Sequence, residues 1–391
     1  MRKHICMIAY TNYTTDARVR RQAETLASQS KFSVRLITPK LGNNPRTYTL
    51  NNVKVMEVNC KIYQERFSLR KYLYHYFKFT IFSFIKCTSL LITKKLDVVH
   101  IHNMPNFLIF AAIAPRIFGK KLILDMHDTV PETYLVKFNN HSRTIFKILA
   151  FEEFICSKIA NKIISVNHIQ RQALLDRGIS SKKIFISMNV PDPKIFSTNH
   201  RNTSVLQEQT KFKLVFHGSI TKRLGIDLII QSLFLLVNKI PSLEFHVYGI
   251  GDDLDYCIGL ARQLKIDNRV YFHGLVPLDS LPNLLRTMNL GVIANRNNIA
   301  TNLMLPVKLI EYISLGIPVI CPRLQTIKHY FSDRMVSYFE PEDVQGLATN
   351  IYHLYFNKEE RKSLAECARS FLDQYGWEKS SSEFIRFYES L

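Results

Sequence analysis

Acidic residues are scarce in the first half of this 391-residue chain. Residues 1–190 hold 11 Asp and Glu against 30 Lys and Arg, a net of +19, whereas residues 191–391 hold 21 against 22, a net of +1. A split of that size points to an anionic partner for the first half, either a membrane surface or nucleic acid. Cysteine is thin as well. The seven residues (6, 60, 87, 156, 257, 321, 367) are scattered, odd in number and never spaced C-x-x-C. That pattern argues against a disulfide framework and a zinc site, and for a reducing compartment. Nowhere do eighteen apolar residues run without a charge, so no spanning helix is expected. Met1–Tyr10 puts basic residues before an apolar run that is too short for a signal peptide, and it reads as a first buried strand. Repeats at solenoid periods and low-complexity segments are missing too.

What is present is alternation. Strand-like runs at Ile5–Ala9, Val34–Thr38, Val98–Ile101, Lys121–Leu124 and Lys162–Val166 alternate with helical patterns such as Asp16–Ser28. That order predicts a parallel α/β sheet, whose ligands sit beyond the carboxyl ends of the strands. After strand one come Asn12 and Asp16, then Arg18, Arg20 and Arg21 on the helix, with no glycine-rich loop. Asp16 reads as an N-cap, and the arginines either meet water or reach an acceptor phosphate. His100-Ile-His102 and Asp125-Met-His127-Asp128-Thr-Val-Pro-Glu132 also follow strands. Their spacing lacks a third ligand set, so no metal is expected. His127 could hold or move a proton near neutral pH, or be satisfied by nearby backbone. Between these strands Arg66–Lys86 is rich in aromatics, with Lys71, His75, Lys78 and Lys86 on roughly one helical face. It reads either as a helix in a membrane interface or as a sheet-packing helix whose lysines reach out to water.

A boundary is expected near Met188-Asn-Val-Pro-Asp-Pro-Lys-Ile-Phe196, which leads into the polar stretch 197–209. The second half opens with the strand Phe212–His217 and the turn Gly218-Ser-Ile-Thr-Lys222-Arg223-Leu-Gly225, basic next to a helix start and suited to phosphate. Phe245-His-Val-Tyr-Gly249-Ile-Gly251 is a strand with a Gly-x-Gly turn, a weak signal by itself. The densest stretch is Thr301–Pro322. There Pro306 suits a first helical turn, Leu309, Ile310 and Ile313 supply an apolar face, Gly316 a C-terminal stop, and Pro318–Cys321 a buried strand. Lys308 and Glu311 share one side of that helix near its start. Lysine there could neutralise a diphosphate, and the carboxylate could accept both hydroxyls of a ribose. Spacing alone favours a plain surface pair instead.

Leu305-Pro-Val307-Lys308-Leu-Ile-Glu311-Tyr-x-x-x-Gly-x-Pro-Val resembles the nucleotide-sugar signature of the family 4 glycosyltransferases, and the resemblance extends over nearly the whole chain. It implies the GT-B fold: two Rossmann-like, doubly wound parallel-sheet domains with the active site in the cleft between them. It further implies a retaining, metal-independent hexosyl transfer from a UDP- or GDP-sugar, with no cofactor. The expected domains are 1–190, which binds the acceptor, and 191–375, which binds the donor, with a helix at about 376–391 packing back on the first. The resemblance gives Glu311 the ribose and Arg223 the diphosphate, along with Gly218, Lys222, Gly249, Gly251, Leu305, Val307 and Lys308 on the donor side. His127 and Asp128 become the catalytic pair, and Asn12, Arg18, His102 and Glu132 the acceptor side. Many relatives carry a second glutamate at the position of Leu303, and a branch with Leu-Pro-x-Lys lacks it, as here. The expected acceptor is a lipid-linked saccharide at the cytoplasmic face of a membrane, reached through the basic first domain, without nucleic acid. An epimerase on the same fold, or a binding protein that kept the fold and lost catalysis, are the alternative readings.

Overall fold

The computed structural model describes residues 2–62, 69–196, 211–277 and 279–391. The chain divides into two compact units, Met1–Asn189 with Ser380–Leu391, and Val190–Lys379. The polar stretch 197–209 and the first residues of the aromatic-basic segment, 66–68, lie outside the described residues.

The first unit is built on β1 (Lys3–Ile8), whose last four residues are buried. Around it the sheet runs β3-β4-β2-β1-β5-β6-β7-β8, with β2 Phe32–Pro39, β3 Thr47–Leu50, β4 Val53–Val58, β5 Val98–His102, β6 Lys121–Met126, β7 Lys162–Ser165 and β8 Ile184–Ile186. All neighbours pair parallel except the edge hairpin β3–β4, which sequence reading missed. Its Thr-Tyr-Thr-Leu strand is short and mostly exposed, so its periodicity is faint. Strand order reverses between β1 and β5, so the crevice for ligands lies past the carboxyl ends of β1, β5 and β6. That is where His102 and His127 sit.

Helix α1 (Ala17–Ala27) starts at Asp16, whose carboxylate accepts from the N–H groups of Arg18 and Val19. Helix α2 (Leu69–Ile92) runs six residues beyond the expected end, and the short helices α3 (Ile113–Ile117) and α4 (Val130–Lys137) come later in the chain. It buries Phe79, Ser83 and Cys87, four apart, against the sheet. The last helix of the chain, Trp377–Glu389, returns to the first unit: Phe384, Phe387 and Tyr388 pack with Ile5, Val34 and Val98 in one core.

The second unit centres on β9 (Phe212–His217), in the order β11-β10-β9-β12-β13-β14, every pairing parallel. The other strands are β10 Leu243–Tyr248, β11 Val270–Gly274, β12 Leu290–Val292, β13 Val319–Pro322 and β14 Ser337–Phe339. Here the order reverses between β9 and β12. The signature helix is Val307–Ser314, with Pro306 as its extended N-cap, one residue before the first turn expected for it. Gly316 (φ +70°) ends it: its N–H donates to Ile313 O while Ile317 N–H reaches back to Tyr312 O.

Candidate active site

The donor-side residues gather at the switch point of the second unit. Beyond β9 the chain turns through Gly218 (φ +108°), where a side chain would meet Lys308 Nζ at 3.4 Å. Gly249 and Gly251 serve this turn from beneath. A Cβ on Gly249 would lie 1.9 Å from Gly218 O, and one on Gly251 1.9 Å from Ile220 O. Their bareness lets two strand-end loops touch backbone to backbone, so their glycine character is explained by packing between loops. Lys222–Leu224 forms a short 3-10 turn closed by Gly225 (φ +68°), and helix Ile226–Phe234 follows. Arg296 staples that turn: its N–H donates to Arg223 O and its Nε to Lys222 O, while its guanidinium pairs with Asp227 and Glu342. The Lys222 side chain is exposed, and Arg223 Nη1 lies 3.6 Å from Met304 Sδ.

Lys308 is the unusual member. Its Nζ is buried without a hydrogen-bond partner and rests 3.6 Å from the centre of the Phe216 ring. Burial lowers its pKa to about 7, with Arg223 adding to the effect and Glu311 opposing it. A cation kept this dry costs several kcal/mol that a face of Phe216 recovers only in part, at about 2 kcal/mol. Glu311, a turn away, is fixed by a residue the sequence did not flag. His217, the last residue of β9, donates Nε2–H to Glu311 Oε2 at 2.6 Å, and its Nδ1 faces Tyr312 Oη at 3.0 Å. Gly291 on β12 leaves room for the Tyr312 ring, which a Cβ would strike at 2.4 Å. Leu305 and Val307, on either side of Pro306, are half-buried, and so is Leu303.

In the first unit, Asp125 at the end of β6 is fully buried and gathers five side chains. Arg18 Nη2 lies 2.5 Å from one oxygen. Gln22 Nε2 (3.1 Å), His100 Nε2 (3.4 Å), His127 Nε2 (3.5 Å) and His102 Nδ1 (3.6 Å) lie around the other. Burial alone would raise its pKa, but Arg18 and the imidazoles hold it well below the usual carboxylate range. His100, His102 and Asp125 come close enough to hold a metal ion, a grouping that sequence spacing did not suggest. The cation at Asp125 is Arg18, and Tyr388 Oη occupies His100 Nδ1. His102 Nδ1 meets His127 Nε2 at 3.0 Å. Burial lowers the pKa of both His100 and His102. Assigned from this network, Tyr388 O–H donates to His100 Nδ1 and His127 Nε2–H donates to His102 Nδ1, while His100 Nε2 and His102 Nε2 stay buried without a hydrogen-bond partner. His127, whose N–H donates to Asn103 Oδ1, keeps its Nδ1 as an acceptor on a side chain 24% exposed. Asp128 is half-buried beside it, and its carbonyl accepts from Asn103 Nδ2.

The expected acceptor residues find other partners. Asn12 Oδ1 closes its own turn on Thr14 N and Oγ1. Arg18 is buried on Asp125 and is not solvated. His102 is only 2% exposed and supports His127. Glu132 is buried in an ion pair with Arg177, which also holds Glu153 at 2.5 Å. Of these four, Arg18 and Glu132 stand on helices, and charge pairing turns both inward.

The model of Glycosyltransferase Family 4 matches residues 17–192, and that of Glycosyl transferases group 1 matches residues 198–371. The chain belongs to the group 1 and family 4 glycosyltransferases. Its fold is GT-B. The O-antigen biosynthesis glycosyltransferase WclY of Escherichia coli is 25% identical over 44% of this chain and 45% of its own length. The matched stretch spans about half the length of the curated relatives that head the comparison. Sucrose-phosphate synthase from Thermosynechococcus elongatus superposes with a TM-score of 0.79 at 17% identity, covering 100% and 99% of the two chains. Anabaena Alr3699/HepE in complex with UDP-glucose does so at 0.74 and 14%, covering 99% of each. Within this family frame Lys308 and Glu311 fall in the group 1 half and His127 in the family 4 half.

Proposed function

We propose that the protein is a retaining glycosyltransferase that moves a hexose from a nucleoside-diphosphate sugar, a UDP- or GDP-sugar, to a lipid-linked saccharide in polysaccharide or glycoconjugate synthesis. One observation carries the reading: Lys308 Nζ is buried, unpartnered and set beside the open turn at Gly218, with Arg223 near enough to depress its pKa. Two cations converging on a helix start fit a diphosphate, and Glu311, held by His217, fits a ribose. As the glycosidic bond breaks, negative charge builds on the leaving diphosphate. Lys308 and Arg223 stabilise it where it forms, so no metal is required on this reading. The donor surface draws on Gly218, Lys222, Leu305 and Val307 as well, with Gly249 and Gly251 shaping the turn below. In the first unit His127 offers Nδ1 as an acceptor, with Asp128 alongside, and its inward partners keep that tautomer. A relative named for O-antigen synthesis and a fold neighbour bound to UDP-glucose support the substrate class. The net charge of the first half supports an anionic membrane at its cytoplasmic face as the place of the acceptor.

A thermal-shift panel of UDP-, GDP-, ADP- and CDP-sugars on wild type, Glu311→Ala and Lys308→Ala tests the donor site. Ligand at a hundred times Kd adds about 2.7 kcal/mol to the native state, a shift of several degrees. One nucleotide series should raise the melting temperature of wild type and neither variant. No shift from folded protein would sink the transferase reading. A shift with sugar or epimer released in the absence of any acceptor would favour the epimerase, and a shift without turnover the degenerate binding protein.

A further inference from the structure

The first unit leaves large apolar side chains in water along three neighbouring elements. On α2, Leu73, Phe77, Ile81 and Ile85 recur every fourth residue, with Tyr74 beside them, and Phe77 is 62% exposed. This stripe lies on the side away from Phe79, Ser83 and Cys87. Helix α5 (Arg143–Ile159) repeats the pattern with Ile148, Phe151 and Ile155, Phe151 being 65% exposed. Between the two helices, and packed on both, runs the 3-10 stretch Asn106–Ala112, which exposes Phe110. The helix that follows it, Ile113–Ile117, ends in exposed Ile117 and Phe118.

An exposed apolar face of this extent marks an interaction surface. The charges around it identify the partner. No acidic residue occurs from residue 69 to 96 or from 98 to 124. The two acids of α5 turn inward: Glu152 binds Asn106, and Glu153 is buried on Arg177. Every exposed charge on these elements is basic: Arg70, Lys71, Lys86, Arg143, Lys147 and Lys158. A second copy of the chain would set like charges against one another across the same face. An anionic bilayer accepts both halves of the pattern, with rings and aliphatics entering the interface while the basic rim meets the headgroups. The helices themselves are not long and apolar enough to cross a membrane, so the face lies on the surface. We infer that α2, the Phe110–Phe118 segment and α5 together form one face that docks flat on an anionic lipid bilayer. The inference rests on the reading of a membrane-held acceptor and extends it. It names the lipid-facing side chains, of which α5 and Phe110–Phe118 carry no such signal in the sequence pattern of α2.

Flotation of the 391-residue chain with phosphatidylcholine vesicles, with and without about a third phosphatidylglycerol, tests it across a salt series. Wild type should float with the anionic vesicles only, and salt should weaken it. Phe77→Ser/Phe151→Ser should lower partitioning by about a hundredfold or more, the scale of losing two buried rings. Lys71→Gln/Lys147→Gln should lower it about twenty-five-fold, roughly fivefold per basic residue, and flatten the salt dependence. The four positions are exposed, so melting temperatures and nucleotide-induced shifts should stay at wild-type values. Binding that is indifferent to lipid charge, or undiminished in the α5 single variant Phe151→Ser, would overturn the inference. So would lipid-free self-association that the ring variants abolish, because the face would then pair two copies. Vesicle binding without any nucleotide shift would leave the face standing and remove the transferase reading. A nucleotide shift without vesicle binding would do the opposite.

Discussion

At the scale of single residues, the proposed donor site turns on Lys308, buried without a hydrogen-bond partner, and on Glu311, held by His217. Lys308, at a pKa of about 7, is about half neutral at neutral pH in the free protein. A diphosphate favours its charged form, so binding takes up a proton between pH 7 and the ordinary 10.5. Nucleotide affinity should therefore fall as pH rises from 7 to 9. Calorimetry in two buffers of different ionisation enthalpy should show the uptake, and Lys308→Arg should abolish it. His217 fixes Glu311 through a 2.6 Å bond, although it touches no substrate itself on this reading. Replacing it with Ala should weaken nucleotide binding roughly tenfold, the worth of one hydrogen bond to a charged group at ~1.5 kcal/mol. A Gln there can still donate, and it should recover most of that loss.

At the scale of elements, loops position these residues by packing backbone on backbone. Gly249 (φ +147°) sits where any other residue is strained and where its Cβ would overlap Gly218 O. Gly249→Ala should cost about 1–3 kcal/mol of stability from backbone strain, and more if the Gly218 turn shifts. Chemical denaturation would read the stability, and the nucleotide-induced shift should fall along with it. A nucleotide response left at wild-type strength would show that the two loops are uncoupled. In the first unit, the bond between helices that matters for pH is Glu153 on Arg177. Burial raises the Glu153 carboxyl from 4.5 to about 7, against the pull of Arg177. Between those values the folded state holds a proton that the unfolded chain has lost. The residue's contribution to stability therefore declines as pH rises through that window. Glu153→Gln should match wild type in urea midpoint at pH 5 and exceed it at pH 8.

At the scale of the whole molecule, the end of the chain belongs to the core of its beginning. Phe384 and Tyr388 are fully buried in the first unit, Phe387 stacks on Phe185 at 4.4 Å, and Lys3 Nζ donates to Tyr388 O. Losing each buried ring costs about 3–5 kcal/mol, against 5–15 kcal/mol for an average domain. Deleting residues 380–391 should therefore unfold the first unit, visible as loss of amide protection on β1 and β2. Tyr388→Phe is the milder probe. It removes only the hydroxyl on His100, and it should cost about 1 kcal/mol while leaving nucleotide binding intact.

Residue order alone was enough for the α/β alternation, because runs of buried apolar residues read the same in strands whatever surrounds them. It also determined the Asp16 cap, the Gly316 stop and the Lys308–Glu311 spacing, which depend on contacts within a turn or two. The resemblance added the family, which spacing alone did not reach. Tertiary structure decided what each polar residue meets. Arg18 and Asp125 are 107 positions apart, Glu311 and His217 94, and Tyr388 and His100 288. No local pattern reports such pairs, since each is made by strand order. For the same reason Arg18, His102 and Glu132 read as exposed crevice residues and fold buried, each on a partner far away in the sequence. The apolar stripe of α5 likewise looks like core in sequence, because periodicity reveals that a face exists and only packing reveals whether anything covers it.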